Sequence, residues 1–282
     1  MNWPVFFTRL GSAVVFAAVM MFGLLFNNPN AIIILALLIG FLCIREFFKI
    51  IALIFPDSFF PDWMMWLTQV FGAVVTISVP MITLMGTPQM AILTLIFPVI
   101  IMLITILHKK TGLIAGFAGI VALFYISLPM SFLITLRGSQ GPVPGFVIPL
   151  ALILMIWMND TMAYIVGSFI GKTPFSPISP KKTWEGTAGG AILTIVGAAV
   201  WGYFAPASVK NYYTMVDWMV LALLAAVAGT VGDLLESKLK RLAGVKDSGN
   251  MMPGHGGALD RFDSLLVTLP FAFCYVALFM AH

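Results

Sequence analysis

Charge is the scarcest commodity in this sequence. Only 9% of the 282 residues are charged, 61% are hydrophobic and the mean hydropathy is +1.04. A soluble domain carries about 25% charge, so a surface this poor in charge requires lipid, not water, as its solvent. Cysteine is also scarce. Cys43 and Cys274 both sit in apolar runs, which excludes a disulfide framework, and no cysteine–histidine cluster exists to hold zinc. Two nucleotide and acyl-transfer motifs fail on inspection. GSFIGKT (167–173) has Val166 where a P-loop needs its first glycine, and PGHGG (253–257) has no G-x-S-x-G partner. Neither an internal repeat at solenoid spacing nor a nucleic-acid motif is found, so no nucleic-acid partner is expected.

What remains is long apolar runs. Nine hydrophobic segments are read at roughly 10–26, 30–54, 64–85, 89–107, 112–136, 144–170, 187–206, 216–236 and 261–281. Most are long enough to cross a bilayer as helix, and none shows the two-residue alternation of a barrel strand. Interior prolines (Pro80, Pro98, Pro129, Pro149) suit kinked membrane helices, where neighbours re-satisfy the freed carbonyls. The fold class expected is an all-α, polytopic integral membrane protein with about nine spanning helices. The first segment follows a single arginine and lacks a small-x-small cleavage site, so it reads as a retained helix.

The loops predict orientation. With the N-terminus cytoplasmic, every basic residue except Arg137 and Lys210 falls on the inside, the bias the positive-inside rule describes. Nine spans then put the C-terminus outside. The net charge of +4 is thus mainly a topology signal.

Polar chemistry is unevenly divided. Residues 1–143 form a first region of about five spans with few motifs. REFFK (45–49) reads there as an interfacial anchor with a local ion pair, and His108-Lys109-Lys110 as a headgroup-facing loop. Residues 144–282 form a second region of about four spans with cytoplasmic loops. It carries Asn159 and Asp160, the polar loop 171–190 with Lys181 and Lys182, and the charged stretch from Asp233 to Asp263. An aspartate at the edge of hydrocarbon costs a few kcal/mol, so Asp160 and Asp233 need a base, a metal or a water-filled cavity. For Asp160 a structural pair with Lys181 or Lys182 is the competing reading.

The spacing narrows the chemistry. Asp233, Glu236, Ser237 and Lys240 share a helix face by the i, i+3, i+4, i+7 rule, and so do Asp260, Asp263 and Ser264. Two helix ends offering carboxylates and hydroxyls suit a hard cation such as Mg2+. Lys238, Lys240, Arg241, Lys246 and Arg261 lie among these acids. Metal on one side and cationic side chains on the other is the arrangement expected for a polyphosphate. Gly249, Gly254, Gly256 and Gly257 allow close backbone approach, with Gly256-Gly257 offering an anion site ahead of a helix. His255, held between glycines, is either a structural hydrogen-bonder or a substrate contact.

The run Ser237-x-Leu239-Lys240-Arg241-x4-Lys246-Asp247-x-Gly249-x2-Met252-Pro253-x-His255-Gly256-Gly257-x2-Asp260-Arg261-Phe262-Asp263 closely resembles the signature of the phosphatidate cytidylyltransferases, or CDP-diacylglycerol synthases. Met252 and Ala258 are mild departures at apolar positions. A second block, Asn159-Asp160 through Ser179-Pro180-Lys181-Lys182-Thr183-Trp184-Glu185-Gly186, is similar to the same family. The resemblance covers about 157–264; the first half matches in hydropathy alone. It implies a helical enzyme of the bacterial plasma (inner) membrane, usually a homodimer, working on its cytoplasmic side. The implied reaction condenses CTP with phosphatidic acid to CDP-diacylglycerol and pyrophosphate, using Mg2+ and K+. By position, Asp233, Asp260 and Asp263 carry over as metal-site acids. Lys240, Arg241 and Lys246 carry over as phosphate contacts. Lys181, Lys182, Asn159, Asp160, Ser237, Asp247, His255, Gly256, Gly257 and Arg261 then fall on the substrate side. Two rivals stand: a sibling enzyme using CTP on an ether phosphatide or polyprenol, and a transporter or flippase. The second predicts inverted halves, whereas here the polar residues crowd one side of one half. Asp260→Asn is expected to abolish nearly all turnover while the protein still inserts; near-normal activity in a turnover assay contradicts the metal-ligand role.

Overall fold

The computed structural model describes residues 3–108, 110–139, 142–251 and 256–280, the side chains of 3–7 and 9 excepted. It is helical almost throughout. In chain order the helices are α1 (Trp3–Leu25), α2 (Pro29–Ile54), α3 (Asp62–Met85), α4 (Ala91–Leu107), α5 (Leu113–Ala122) and α6 (Leu128–Gly138). They continue with α7 (Val147–Ile170), α8 (Trp184–Phe204), α9 (Ala207–Lys210), α10 (Met215–Leu242) and α11 (Leu259–Tyr275). Strands β1 (Pro174–Ser176) and β2 (Ser179–Thr183) form an antiparallel hairpin between α7 and α8. Among the described residues, 8 helices are long and apolar enough to cross a membrane, and Leu10–Leu25 adds a shorter apolar stretch. Large exposed side chains such as Leu95, Leu107, Phe169 and Leu278 are what a lipid solvent permits. The expected all-α polytopic class is therefore observed.

The chain divides into two compact units. The first comprises Met1–Gly138 with Leu239–Phe262, and the second Ser139–Lys238 with Asp263–His282. In the first, Cys43, Met64, Ile101, Ile126 and Met130 are fully buried. Helices α5 and α6 are one continuous span joined by a π turn at Leu123–Ser127, just before Pro129. Proline lacks the N–H that would close the ladder there, so the turn widens. Thr76 then donates to the Ser127 carbonyl at 3.2 Å. Arg137 explains its own place outside the basic cluster: its Nε and Nη2 donate to the carbonyls of Leu24 and Phe26, at 2.7 and 3.2 Å. These belong to the C-terminal end of α1, where carbonyls lack helical partners.

In the second unit, α7 and α8 meet backbone to backbone. A Cβ added at Gly190 would come within 2.8 Å of the Ala163 nitrogen and the Asn159 carbonyl. Small residues at such crossings replace the hydrophobic driving force that lipid removes. Helix α8 begins at Trp184, earlier than the expected 187, because Thr183 caps it by accepting from the Gly186 N–H at 3.1 Å. Glu185 ties the hairpin down, accepting from the N–H groups of Lys172 and Thr173 and from the Thr173 hydroxyl. Helix α10 runs six residues beyond the expected 236, to Leu242. Lys240 and Arg241 in its last turn favour the negative end of the helix dipole.

Gly190→Ala is expected to force α7 and α8 apart and lower stability by about 1–3 kcal/mol, read as a lower thermal unfolding midpoint in detergent. An unchanged midpoint contradicts the close crossing.

Candidate active site

The second unit presents a polar pocket of about 480 Å³ where α7, β2, α8 and α10 come together. Asn159, Asp160, Lys181, Lys182 and Asp233, all singled out in the sequence, line it. Lys182 donates to the Asp233 carboxylate, and both side chains remain about one-third exposed. Asn159 is 4% exposed and its Oδ1 accepts no hydrogen bond. A buried amide oxygen without a donor is costly, and from the pocket wall it could accept a hydrogen bond from a ligand donor or meet a cation. Asp160 and Lys181 are exposed at the rim.

Asp263 belongs to the same unit and is buried. Its Oδ1 accepts from the Ser264 N–H at 2.6 Å. Helix α10 reaches it through glycine: a Cβ on Gly232 would lie 2.4 Å from the Asp263 carbonyl and 3.1 Å from the Ser264 Cα. Glu236, which shares the helix face by spacing, is 1% exposed, whereas Asp233 is half-buried. Ser237 is half-buried too.

The first unit holds the glycine-rich stretch. Asp260 gathers it. Its Oδ1 accepts from Lys240 Nζ at 2.6 Å, and its Oδ2 accepts from the N–H groups of Ser248 (2.9 Å) and Gly257 (2.7 Å). Gly256 has φ +82, and a Cβ there would meet Asp260 Oδ2 at 2.5 Å, so this position requires glycine on both counts. The Gly257 N–H, expected from the sequence to approach a phosphate, is donated to the chain's own Asp260, and the Ala258 and Leu259 N–H groups that follow are donated to Glu46. Arg241, Lys246, Asp247 and Arg261 are exposed around this stretch. His255 lies outside the described residues, as does Lys109.

Glu46 is the residue that sequence reasoning missed. It lies on α2 in REFFK, read above as an interfacial anchor, yet it is 6% exposed and accepts from Ser248 Oγ and from the Ala258 and Leu259 N–H groups. The signal was present: an acid followed by Phe47 and Phe48 at the end of an apolar helix is an intramembrane ionisable group by position.

No three His, Cys, Asp or Glu side chains come together as a metal cage among the described residues. The oxygen chemistry still fits a hard cation. Asp233 and Asp260 each already balance one ammonium, and Mg2+ commonly binds through one or two carboxylates, waters and substrate phosphates.

Comparison with known proteins agrees with this composition of residues. A model of the cytidylyltransferase family matches residues 7–279. The chain is 39% identical over 188 residues to the phosphatidate cytidylyltransferase of Bacillus subtilis, covering 65% of this chain and 67% of that protein. It is 37% identical over 143 residues to that of Haemophilus influenzae, with 50% and 49% covered. It is 40% identical over 136 residues to that of Synechocystis, with 48% and 45% covered. The matched stretch thus spans two thirds of the first relative and about half of the other two. With a family match running nearly end to end, the chain belongs to the cytidylyltransferase family.

Proposed function

We propose that this protein condenses CTP with phosphatidic acid to give CDP-diacylglycerol and pyrophosphate. The lipid phosphate is itself the nucleophile: one of its oxygens bonds to the α-phosphorus of CTP, the α–β bridging bond breaks, and pyrophosphate leaves. No covalent enzyme intermediate is required. The obstacle is repulsion between two anions, so the protein's work is positioning and charge neutralisation.

The observation that carries this reading is the polar pocket. It sets Lys181, Lys182, Asp233 and the unpartnered Asn159 oxygen against membrane-crossing helices, so a polyanionic headgroup meets cations without leaving the bilayer edge. Lys182 is held by Asp233 in a fixed orientation and supplies a donor for a phosphate oxygen. Lys240, held by Asp260, does the same for the glycine-rich stretch, with Arg241 and Lys246 adding positive charge. On the resemblance in sequence, Asp233, Asp260 and Asp263 are the acids proposed for Mg2+, with K+ as a second cation, and the metal would supply neutralisation of the triphosphate and the leaving group. The positive-inside distribution supports a cytoplasmic-face location for these groups in a bacterial plasma membrane, where a soluble nucleotide and a lipid can meet. A homodimer is the proposed assembly, on the resemblance in sequence.

Purified protein in mixed micelles with phosphatidic acid, Mg2+ and each nucleoside triphosphate in turn is expected to release pyrophosphate and form nucleotide-linked lipid with CTP alone. Folded protein that forms no product with any nucleotide contradicts the proposal, and product formed only on an ether phosphatide or polyprenol phosphate reassigns the lipid. Lys182→Met is expected to lower kcat/KM by roughly 10–100-fold, the worth of one charge-assisted hydrogen bond; parental kinetics remove Lys182 from the site.

A further inference from the structure

The apolar first half of the chain contributes one side chain to the active-site stretch. We infer that Glu46 is the positioning residue of that stretch: it builds the start of α11 and the Ser248 turn into the form that holds Asp260 and Lys240. The inference rests on the reading of Asp260 and Lys240 as site residues given above.

Three contacts carry it. Glu46 Oε1 accepts from the Ala258 N–H at 3.0 Å, and Oε2 accepts from the Leu259 N–H at 2.8 Å. These groups open α11, where N–H groups lack partners within the helix, and a carboxylate there also meets the positive end of the helix dipole. The third contact reaches the loop. Ser248 Oγ lies 2.7 Å from Glu46 Oε2 and 2.9 Å from Asp260 Oδ2. Its one proton serves one carboxylate at a time, while the oxygen accepts from the Asp260 N–H at 3.3 Å. Ser248 therefore links the buried acid of α2 to the acid of the site.

Glycine makes the geometry possible. A Cβ at Gly249 would lie 2.4 Å from Glu46 Oε1, and one at Gly257 would lie 2.3 Å from Glu46 Oε2. Two glycines of the signature therefore do what phosphate binding does not require: they leave room for an acid from α2. An interfacial anchor would leave its carboxylate in water. Glu46 instead is buried and receives donors 202 to 213 residues further along the chain.

Glu46→Gln keeps the size and replaces one acceptor oxygen by an amide NH2, which faces donors. Amide hydrogen exchange in the 256–262 segment is expected to rise roughly ten-fold or more, with α3 to α6 unchanged. Turnover is expected to fall roughly ten-fold or more in kcat, with KM for CTP and lipid within about three-fold. Ser248→Ala tests the same link without touching α2, and covers the case in which Glu46→Gln does not fold. If the link is real, the double variant is no worse than the poorer single variant. Unchanged exchange in 256–262 overturns the inference, as do parental kcat in a folded single variant and additive losses in the double variant. The exchange arm needs no turnover, so it decides the placement of Glu46 even if the cytidylyl-transfer reading fails.

Discussion

Asp260 is a carboxylate at the membrane edge whose two oxygens are both engaged: one by an ammonium, the other by backbone N–H groups from two sides of a turn. The glycine-rich stretch is arranged around that constraint. A carboxylate so placed is costly unless it is fully paired, and the donors that pair it come from three separate stretches. Lys240 comes from the end of α10, Ser248 from the connecting turn and Gly257 from the approach to α11. Satisfying one acid therefore folds the loop. Glu46 completes the scheme from below by taking the next two N–H groups of α11.

The second unit solves a related problem differently. Its carboxylate, Asp233, is only half-buried and is balanced by Lys182 across a water-accessible pocket. Here the glycines act at helix crossings. Gly186 and Gly190 bring α8 onto α7, and Gly232 brings α10 onto α11. The Asn159 oxygen is a buried oxygen in the wall of this pocket left without a donor. The proposed lipid and nucleotide substrates call for both features: helices that shed water and edges that concentrate charge.

Much of this was legible in the sequence, and for physical reasons. Lipid forbids unpaired backbone, so long apolar runs report helices directly. The glycine-rich stretch was legible as one unit because Asp260 finds Lys240, Ser248 and Gly257 within 20 residues of itself. What was not legible was long-range or local in the wrong way. The hairpin 174–183 has no apolar alternation to reveal it, and the start of α8 depends on the Thr183 cap. The last turns of α10 are too polar for a hydropathy reading, though they are helical. Glu46 looked like an anchor because its partners lie more than two hundred residues away. The glycines were legible as requirements for close approach, but what approaches them is a carboxylate of the same chain.

The glycine-rich stretch is organised by the chain's own carboxylates before any nucleotide arrives. Hydrogen exchange of the parental protein in micelles, followed over 246–251 and 256–262 with and without CTP and Mg2+, tests it most directly. The Ser248, Gly257, Ala258 and Leu259 amides are expected to be protected already without nucleotide, with CTP adding little. Exchange at the rate of an unstructured chain until CTP is added would contradict it, because the nucleotide and not Glu46 and Asp260 would then be the organiser.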